Sequence, residues 1–272
     1  MNAVLSALGD GAVVAERNII KIRRVPDLLV GVTLGPIMFV LLFAYVFGGS
    51  IQIPGLEGGY REFLIAGIFA QSVIFGATIT GSAMAQDLKS GIIDRFRSLP
   101  MSASAVLVGR TTADVVANVI QVVVMAVTGL IVGWRIRSNV LDALLGFLLL
   151  LLFAYAVSWV MAYLGMLVRS PEVFNNLTFI VIFPVTFIAN TFVPLQNLPT
   201  VLRVAAEWNP VSSLTQAARD LFGNTVPPTP ALPEPTAWPL QNPVLYTFLW
   251  VGLLLVVFVP LTIQQYKRAV SR

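Results

Sequence analysis

Six stretches of this 272-residue chain carry no charged side chain for at least 20 residues: Leu28–Leu56, Phe63–Gln86, Val115–Trp134, Ala143–Val168, Val173–Leu202 and Pro235–Tyr266. A helix needs about 20 mostly apolar residues to cross the hydrocarbon core of a bilayer. Each interval is long enough, and only 11% of residues are charged, too few to clothe a soluble domain, where about 25% is usual. The expected fold is therefore an all-α integral membrane protein. It forms a single domain over residues 1–272, with six spans at 28–47, 63–85, 112–133, 143–168, 177–194 and 244–263. An even number puts both termini on one side.

Basic residues orient the spans. The N-terminal segment, the loop after the second span, the loop after the fourth and the C-terminal tail hold twelve of the 17 Lys and Arg residues. The other side has Arg61, Arg135, Arg137, Arg203 and Arg219. Cytoplasmic loops are the basic ones, so both termini are expected in the cytoplasm. The net charge of +4 is a topology signal facing anionic lipid, and no basic stripe suggests nucleic acid.

The first 27 residues lack the continuous apolar core of a signal peptide. Within them, AVVAERNIIKIRRVPD reads as an amphipathic helix lying in the membrane interface. The chain has no cysteine and no histidine. That removes thiol chemistry and disulfides, as well as zinc hydrolysis and imidazole proton relays. No phosphate-binding glycine loop is present. A transport or scaffold role is expected, not an enzyme, with no cofactor bound by this chain.

Between the second and third intervals lies QDLKSGIIDRFRSLPMSASAVLVGR, with six charges in 25 residues. Leu88, Ile92, Phe96 and Leu99 fall on one helical face, while Asp87, Asp94 and Arg97 point away. Pro100 stops the helix. Residues 87–99 are thus expected to form a short amphipathic cytoplasmic helix. A lipid anchor would be mostly Lys and Arg on its polar face; charges of both signs around Phe96 suit docking to a protein.

Other features leave alternatives open. Arg110 and Asp114, four apart, share a helix face at the start of the third span. They read as a structural ion pair or as part of a gate, and Asp114 is also the one acid within a span able to carry a proton. Ala66, Ala70, Ala77, Gly81 and Ala85 line a small-residue stripe, and Gly31/Gly35 and Gly129/Gly133 form GxxxG pairs that allow close helix approach. Phe39, Phe43, Phe69, Phe75, Phe179, Phe183 and Phe187 face an apolar path, lipid or neighbouring helices. Between spans five and six, Asn209-Pro210 marks a turn between two short external helices, with Ser212 or Ser213 as cap and Gly223 as stop. This external region, 195–243, reads as a cap or as part of an exit route. It ends in VPPTPALPEPTAWPLQNP, an extended polyproline-like linker.

DLKSGIIDRFRSLPMSASAVLVGRTTAD resembles the signature of type-2 ABC exporter permeases, in particular the daunorubicin-resistance multidrug or lipid exporters of bacteria. Residues 190–223 resemble the family's second landmark, after the fifth span. The resemblance covers nearly the whole chain; the Pro-rich 226–243 linker departs from it. It implies a permease of the bacterial plasma membrane, paired with a second permease chain, identical or related, and with cytoplasmic ABC ATPase subunits that carry ATP and Mg. The helix with Asp87, Gly91, Asp94, Arg95, Phe96, Arg97 and Pro100 would be the coupling helix, pushed as the ATPases close. The cargo would be a hydrophobic or amphipathic drug, polyketide or lipid. Against this stand two other readings: a proton-coupled secondary efflux transporter and a non-transporting membrane scaffold.

Overall fold

The computed structural model describes residues 26–47, 56, 58–91, 103–230 and 233–270, and among them the long regular elements are all helices. α1 is Pro26–Leu42, continued by a π-helical turn, Phe43–Phe47. α2 is Gly59–Lys89, α3 Ala103–Val132, α4 Val140–Gly165 and α5 Pro171–Ile188. The short helices α6, Thr200–Glu207, and α7, Pro210–Phe222, follow. A single turn, α8, Trp238–Gln241, leads into α9, Pro243–Val270. Five helices (α2, α3, α4, α5 and α9) are long and apolar enough to cross a membrane, and α1 is a shorter apolar helix.

α2 is the hub: 78% of its spanning window is buried, against 11% for α9. It packs on α3, α4, α5 and α7, most extensively on α4. Small residues make this possible. The whole stripe Ala66, Ala70, Ala77, Gly81 and Ala85 is buried within the chain. A Cβ on Gly67 would strike the Thr191 carbonyl, one on Gly81 the Phe174 ring and one on Gly165 the backbone of Gly81. Without a hydrophobic drive between helices in lipid, such close approach is the main source of association. The outward faces of α3, α5 and α9 carry exposed Val123, Ile131, Ile180, Val181, Leu253 and Val256, as lipid contact requires.

Helix ends follow local chemistry. Asn139 accepts from Asp142 N at 2.8 Å and its amide donates back to the Asp142 carboxylate at 2.7 Å, starting α4. Ser170 caps α5, with Pro171 in the first turn. Asn209, not Ser212 or Ser213, caps α7, by accepting from Val211 N at 2.9 Å. The serines are engaged elsewhere: Ser212 Oγ accepts from Asn190 N at 3.1 Å, and Ser213 Oγ donates to Pro239 O at 3.4 Å. Gly223, at φ 72°, ends α7 as expected.

Several boundaries move. α5 runs from 171 to 188, not 177 to 194, because residues 190–192 give their carbonyls to side chains of α2 and α7. Tyr60 donates to Phe192 O at 3.0 Å, and Arg219 donates to Asn190 O at 2.7 Å and Thr191 O at 3.3 Å. α3 starts before the expected 112, so Arg110 and Asp114 lie within it. α2 continues to Lys89, which places Asp87 and Leu88 in its last turn, and Gly91 (φ 67°) follows that end. Among the described residues Gly129 and Gly133 do not act as a pair, and the surroundings of Gly31 lie outside them. Gly133 (φ 107°) sits in the turn after α3, Gly129 faces the chain's own Trp134, and Gly35 meets nothing within 4 Å. The expected N-terminal interfacial helix lies outside the described residues.

Candidate functional site

Charged and polar groups collect at the two ends of α2 and along one seam between them. At its N-terminal end all five arginines expected outside are in use. Arg61 Nη1 donates to Val132 O at 3.1 Å, and Arg135 Nη1 to Leu130 O and Trp134 O at 2.7 and 2.8 Å. Arg137 pairs with Glu62, and Arg203 with Glu207 at 3.9 Å. Arg219 is the least obvious. It is 1% exposed, and its Nε donates to Phe63 O at 3.0 Å while its guanidinium stacks over the Phe63 ring at 3.5 Å. With its bonds to residues 190 and 191, it ties α7 to both α2 and the end of α5. Burial lowers its pKa to about 9, against the opposing charge of Asp220. Asp220 is in turn raised by burial, despite hydrogen bonds from Thr225 and Gln216.

An aromatic knot supports this end. Trp134, Phe69, Phe147 and Phe222 stack edge to face or tilted. Asn224 joins the ends of α3 and α7, accepting from Trp134 Nε1 at 2.8 Å and donating to Arg135 O at 3.0 Å. Of the aromatic residues assigned to an apolar path, lipid or neighbouring helices, Phe69 thus meets neighbouring helices in the core; Phe179, Phe183 and Phe187 stack on one another along α5.

The α2–α3 seam is polar. Thr80 Oγ1 donates to Asp114 Oδ2 at 2.6 Å, Gln121 Nε2 reaches Ser72 O at 3.4 Å, and Gly76 leaves room for Asn118 and Gln121. Positions 72, 76 and 80 face 121, 118 and 114. Only Asp114 was singled out from sequence; the regular spacing of Ser72, Gly76 and Thr80 was the available signal. The Arg110 side chain lies outside the described residues, so its pairing with Asp114 does too.

At the other end of α2, Lys89 pairs with Glu172 of α5 at 3.5 Å, and Met84, Leu107, Trp159 and Tyr266 form a second buried cluster. Asp87 is half-buried there. Asp94, Arg95, Phe96, Arg97 and Pro100 lie outside the described residues. Asn209 and Pro210 form the expected turn, and Asn209 Nδ2 also donates to Val185 O at 2.7 Å.

Five long apolar helices, one of them the small-residue hub, with charges among the described residues confined to helix ends and one seam, define a multi-pass membrane protein. Residues 12–222 match the ABC-2 type transporter family, and the chain belongs to that family. It is 31% identical over 209 residues to the daunorubicin resistance ABC transporter permease protein DrrB1 of Streptomyces coeruleorubidus, covering 77% of this chain and 73% of that protein. It is also 21% identical over 242 residues to the probable doxorubicin resistance ABC transporter permease protein DrrC of Mycobacterium tuberculosis, covering 89% and 82%. The putative transport permease ycf38 of Porphyra purpurea is 24% identical over 213 residues, 77% and 72%. The chain is thus an ABC transporter permease.

Proposed function

We propose that this chain is the membrane half of an ATP-driven exporter of hydrophobic or amphipathic compounds in the bacterial plasma membrane. The observation that carries the reading is the family match over residues 12–222, joined to relatives named as drug-resistance permeases. α1 and the five longer apolar helices make six crossings, with both termini in the cytoplasm. Two permease chains, identical or related, pair with two ATPase chains that hold ATP and Mg. The segment from Gly91 to Pro100 seats in an ATPase cleft through Asp94, Arg95, Phe96 and Arg97. Closure of the ATPases pushes it as a rigid body. Its neighbour α2 has the most buried window of the five long apolar helices among the described residues, so a push delivered there reaches α3, α4, α5 and α7 together. Asp114 serves structure through Thr80 rather than carrying protons.

The test is co-purification of the neighbouring ATPase with wild-type and Asp94→Ala/Phe96→Ala permease at equal membrane levels, alongside export. An anchoring aromatic at a protein interface is typically worth about 2 kcal/mol or more, so the double variant loses the ATPase and export while still inserting. Unchanged co-purification and export would make the segment a lipid-lying connector. Export that stops when the proton gradient is collapsed, with ATP intact, would favour the antiporter.

A further inference from the structure

α6 is turned the wrong way for a helix in water. A surface helix of a soluble protein directs its apolar side inward and its charges outward. In α6 the residues at spacings of four and three, Val201, Ala205 and Trp208, are apolar and exposed, Val201 at 82% and Trp208 at 54%. Leu202 and Val204 flank this stripe and are exposed too. The opposite side holds fully buried Ala206 together with Arg203 and Glu207. These two pair at 3.9 Å and, with Val204 at the rim, line a cavity of about 570 Å³ shared with α7 and the Pro-rich segment.

A contiguous exposed apolar patch marks a protein or a membrane contact, and the neighbours of α6 decide between them. Its C-terminal end is tied to two lipid-facing spans. Tyr246 Oη, in the first turn of α9, donates to Trp208 O at 3.0 Å, and Asn209 Nδ2 donates to Val185 O, in the last turn of α5, at 2.7 Å. Leu245 and Leu249 carry the exposed face of α9 onward from the same level, at 52% and 55%. The stripe on α6 therefore continues the lipid-facing surface at the height where both spans end. Aromatic residues gather at that height. Trp208 and Trp238 each meet Tyr246 edge to face, and Tyr246 meets Trp250 in the same way. Three of the chain's five tryptophans are thus placed where Trp and Tyr collect in membrane proteins, at the headgroup level, with the ring in an apolar setting and the polar end in water.

We propose that α6 docks on the bilayer, with Val201, Ala205 and Trp208 seated in the upper acyl chains of the leaflet at this end of the bundle and the Trp208–Trp238–Tyr246–Trp250 cluster as its anchor. The helix then separates lipid on one side from the cavity on the other. Interfacial helices drawn to anionic lipid carry several Lys or Arg on their polar face. α6 has one arginine, matched by Glu207 and turned to the cavity, so its docking rests on apolar burial and is indifferent to headgroup charge. The contact stands independently of ATPase coupling and of which face is cytoplasmic.

The chain has no cysteine, so a nitroxide label is attached at Val201→Cys or at Ala205→Cys, with the protein in phosphatidylcholine nanodiscs. Oxygen concentrates in lipid and a nickel chelate in water, and the ratio of their collision rates with the label reports which one surrounds it. Val256→Cys, at a position 75% exposed within α9, gives the lipid reference, and Glu234→Cys, at an exposed position in the Pro-rich segment, the water reference. The ratio at 201 and 205 should lie well above that at 234 and toward that at 256. Adding phosphatidylglycerol to the disc should leave it unchanged. The unlabelled protein supplies a second measurement: phosphatidylcholine brominated in its upper acyl chains should quench tryptophan emission, and Trp208→Phe should lose part of the quenched signal. A ratio like that at 234 would make α6 a cap in water, and a label that neither collider reaches would mean that a protein, such as a second copy of this chain, covers the stripe. Either result, a ratio that rises only with phosphatidylglycerol, or quenching that Trp208→Phe leaves unchanged would overturn the proposal.

Discussion

Arg137 grips Glu62 with two nitrogens: Nε lies 3.0 Å from both carboxylate oxygens and Nη2 lies 2.9 Å from Oε1. The Glu62 side chain is 1% exposed and that of Arg137 37%. The pair therefore ties the first turn of α2 to the α3–α4 connection from a half-open position. Removing one partner of a buried pair typically costs about 3–5 kcal/mol, because the other charge is stranded. Arg137→Ala is expected near the low end, about 3 kcal/mol, since water still reaches that side. Glu62→Gln with Arg137→Met should cost less than Arg137→Ala alone. Unfolding in detergent measures both; equal losses would mean the pair adds nothing specific.

The hub helix predicts a contrast between glycines. Gly67→Ala drives a methyl into the Thr191 carbonyl, whereas Gly35→Ala meets nothing within 4 Å. Overpacking against backbone costs about 1–3 kcal/mol. A lower melting midpoint for Gly67→Ala and an unchanged one for Gly35→Ala is the expected result. Two equal midpoints would show that α2 and the 190–192 segment do not pack this closely.

Arg219→Lys keeps the charge but lacks the flat fork that reaches the carbonyls of Phe63, Asn190 and Thr191 together. It should loosen the α7–α5 junction. Proteolysis of residues 190–225 in nanodiscs reads this directly: faster cleavage is expected for Arg219→Lys, and wild-type resistance would show that charge alone holds the junction.

Thr80 and Asp114 separate a hydrogen bond from a charge. Asp114→Asn leaves an oxygen to accept from Thr80, while Thr80→Val removes the donor across the 2.6 Å contact. Hydrogen bonds to charged groups are worth about 1.5–3 kcal/mol. Thr80→Val is therefore expected to lower stability more than Asp114→Asn does, and the reverse order would assign Asp114 a charge-based role.

Orientation is testable with single cysteines. Ser90→Cys should resist an impermeant thiol reagent in intact cells, and Asn139→Cys should react; the opposite pattern inverts the assigned faces. The two positions lie beyond opposite ends of the bundle, after α2 and before α4.

The helical, membrane-spanning character of this chain follows from sequence alone, because a bilayer forces one solution: every backbone group must be satisfied within an apolar segment of fixed length. Charge-free runs report that constraint directly, and Asn209-Pro210 and Gly223 marked α7 because turns and caps are local chemistry. Tertiary structure alone decided which helix is the hub, since α2 is less apolar than α3, α4 and α9 and is distinguished by the backbones its glycines admit. It also shortened α5, because the carbonyls after Ile188 bind Tyr60 and Arg219, residues 132 and 29 positions from their partners Phe192 and Asn190. Arg219 itself read as one more outer charge. Its place beside Thr215 and Phe222 on the buried face of α7 was legible as spacing, but the three carbonyls that make burial tolerable come from distant segments that only the folded chain brings together.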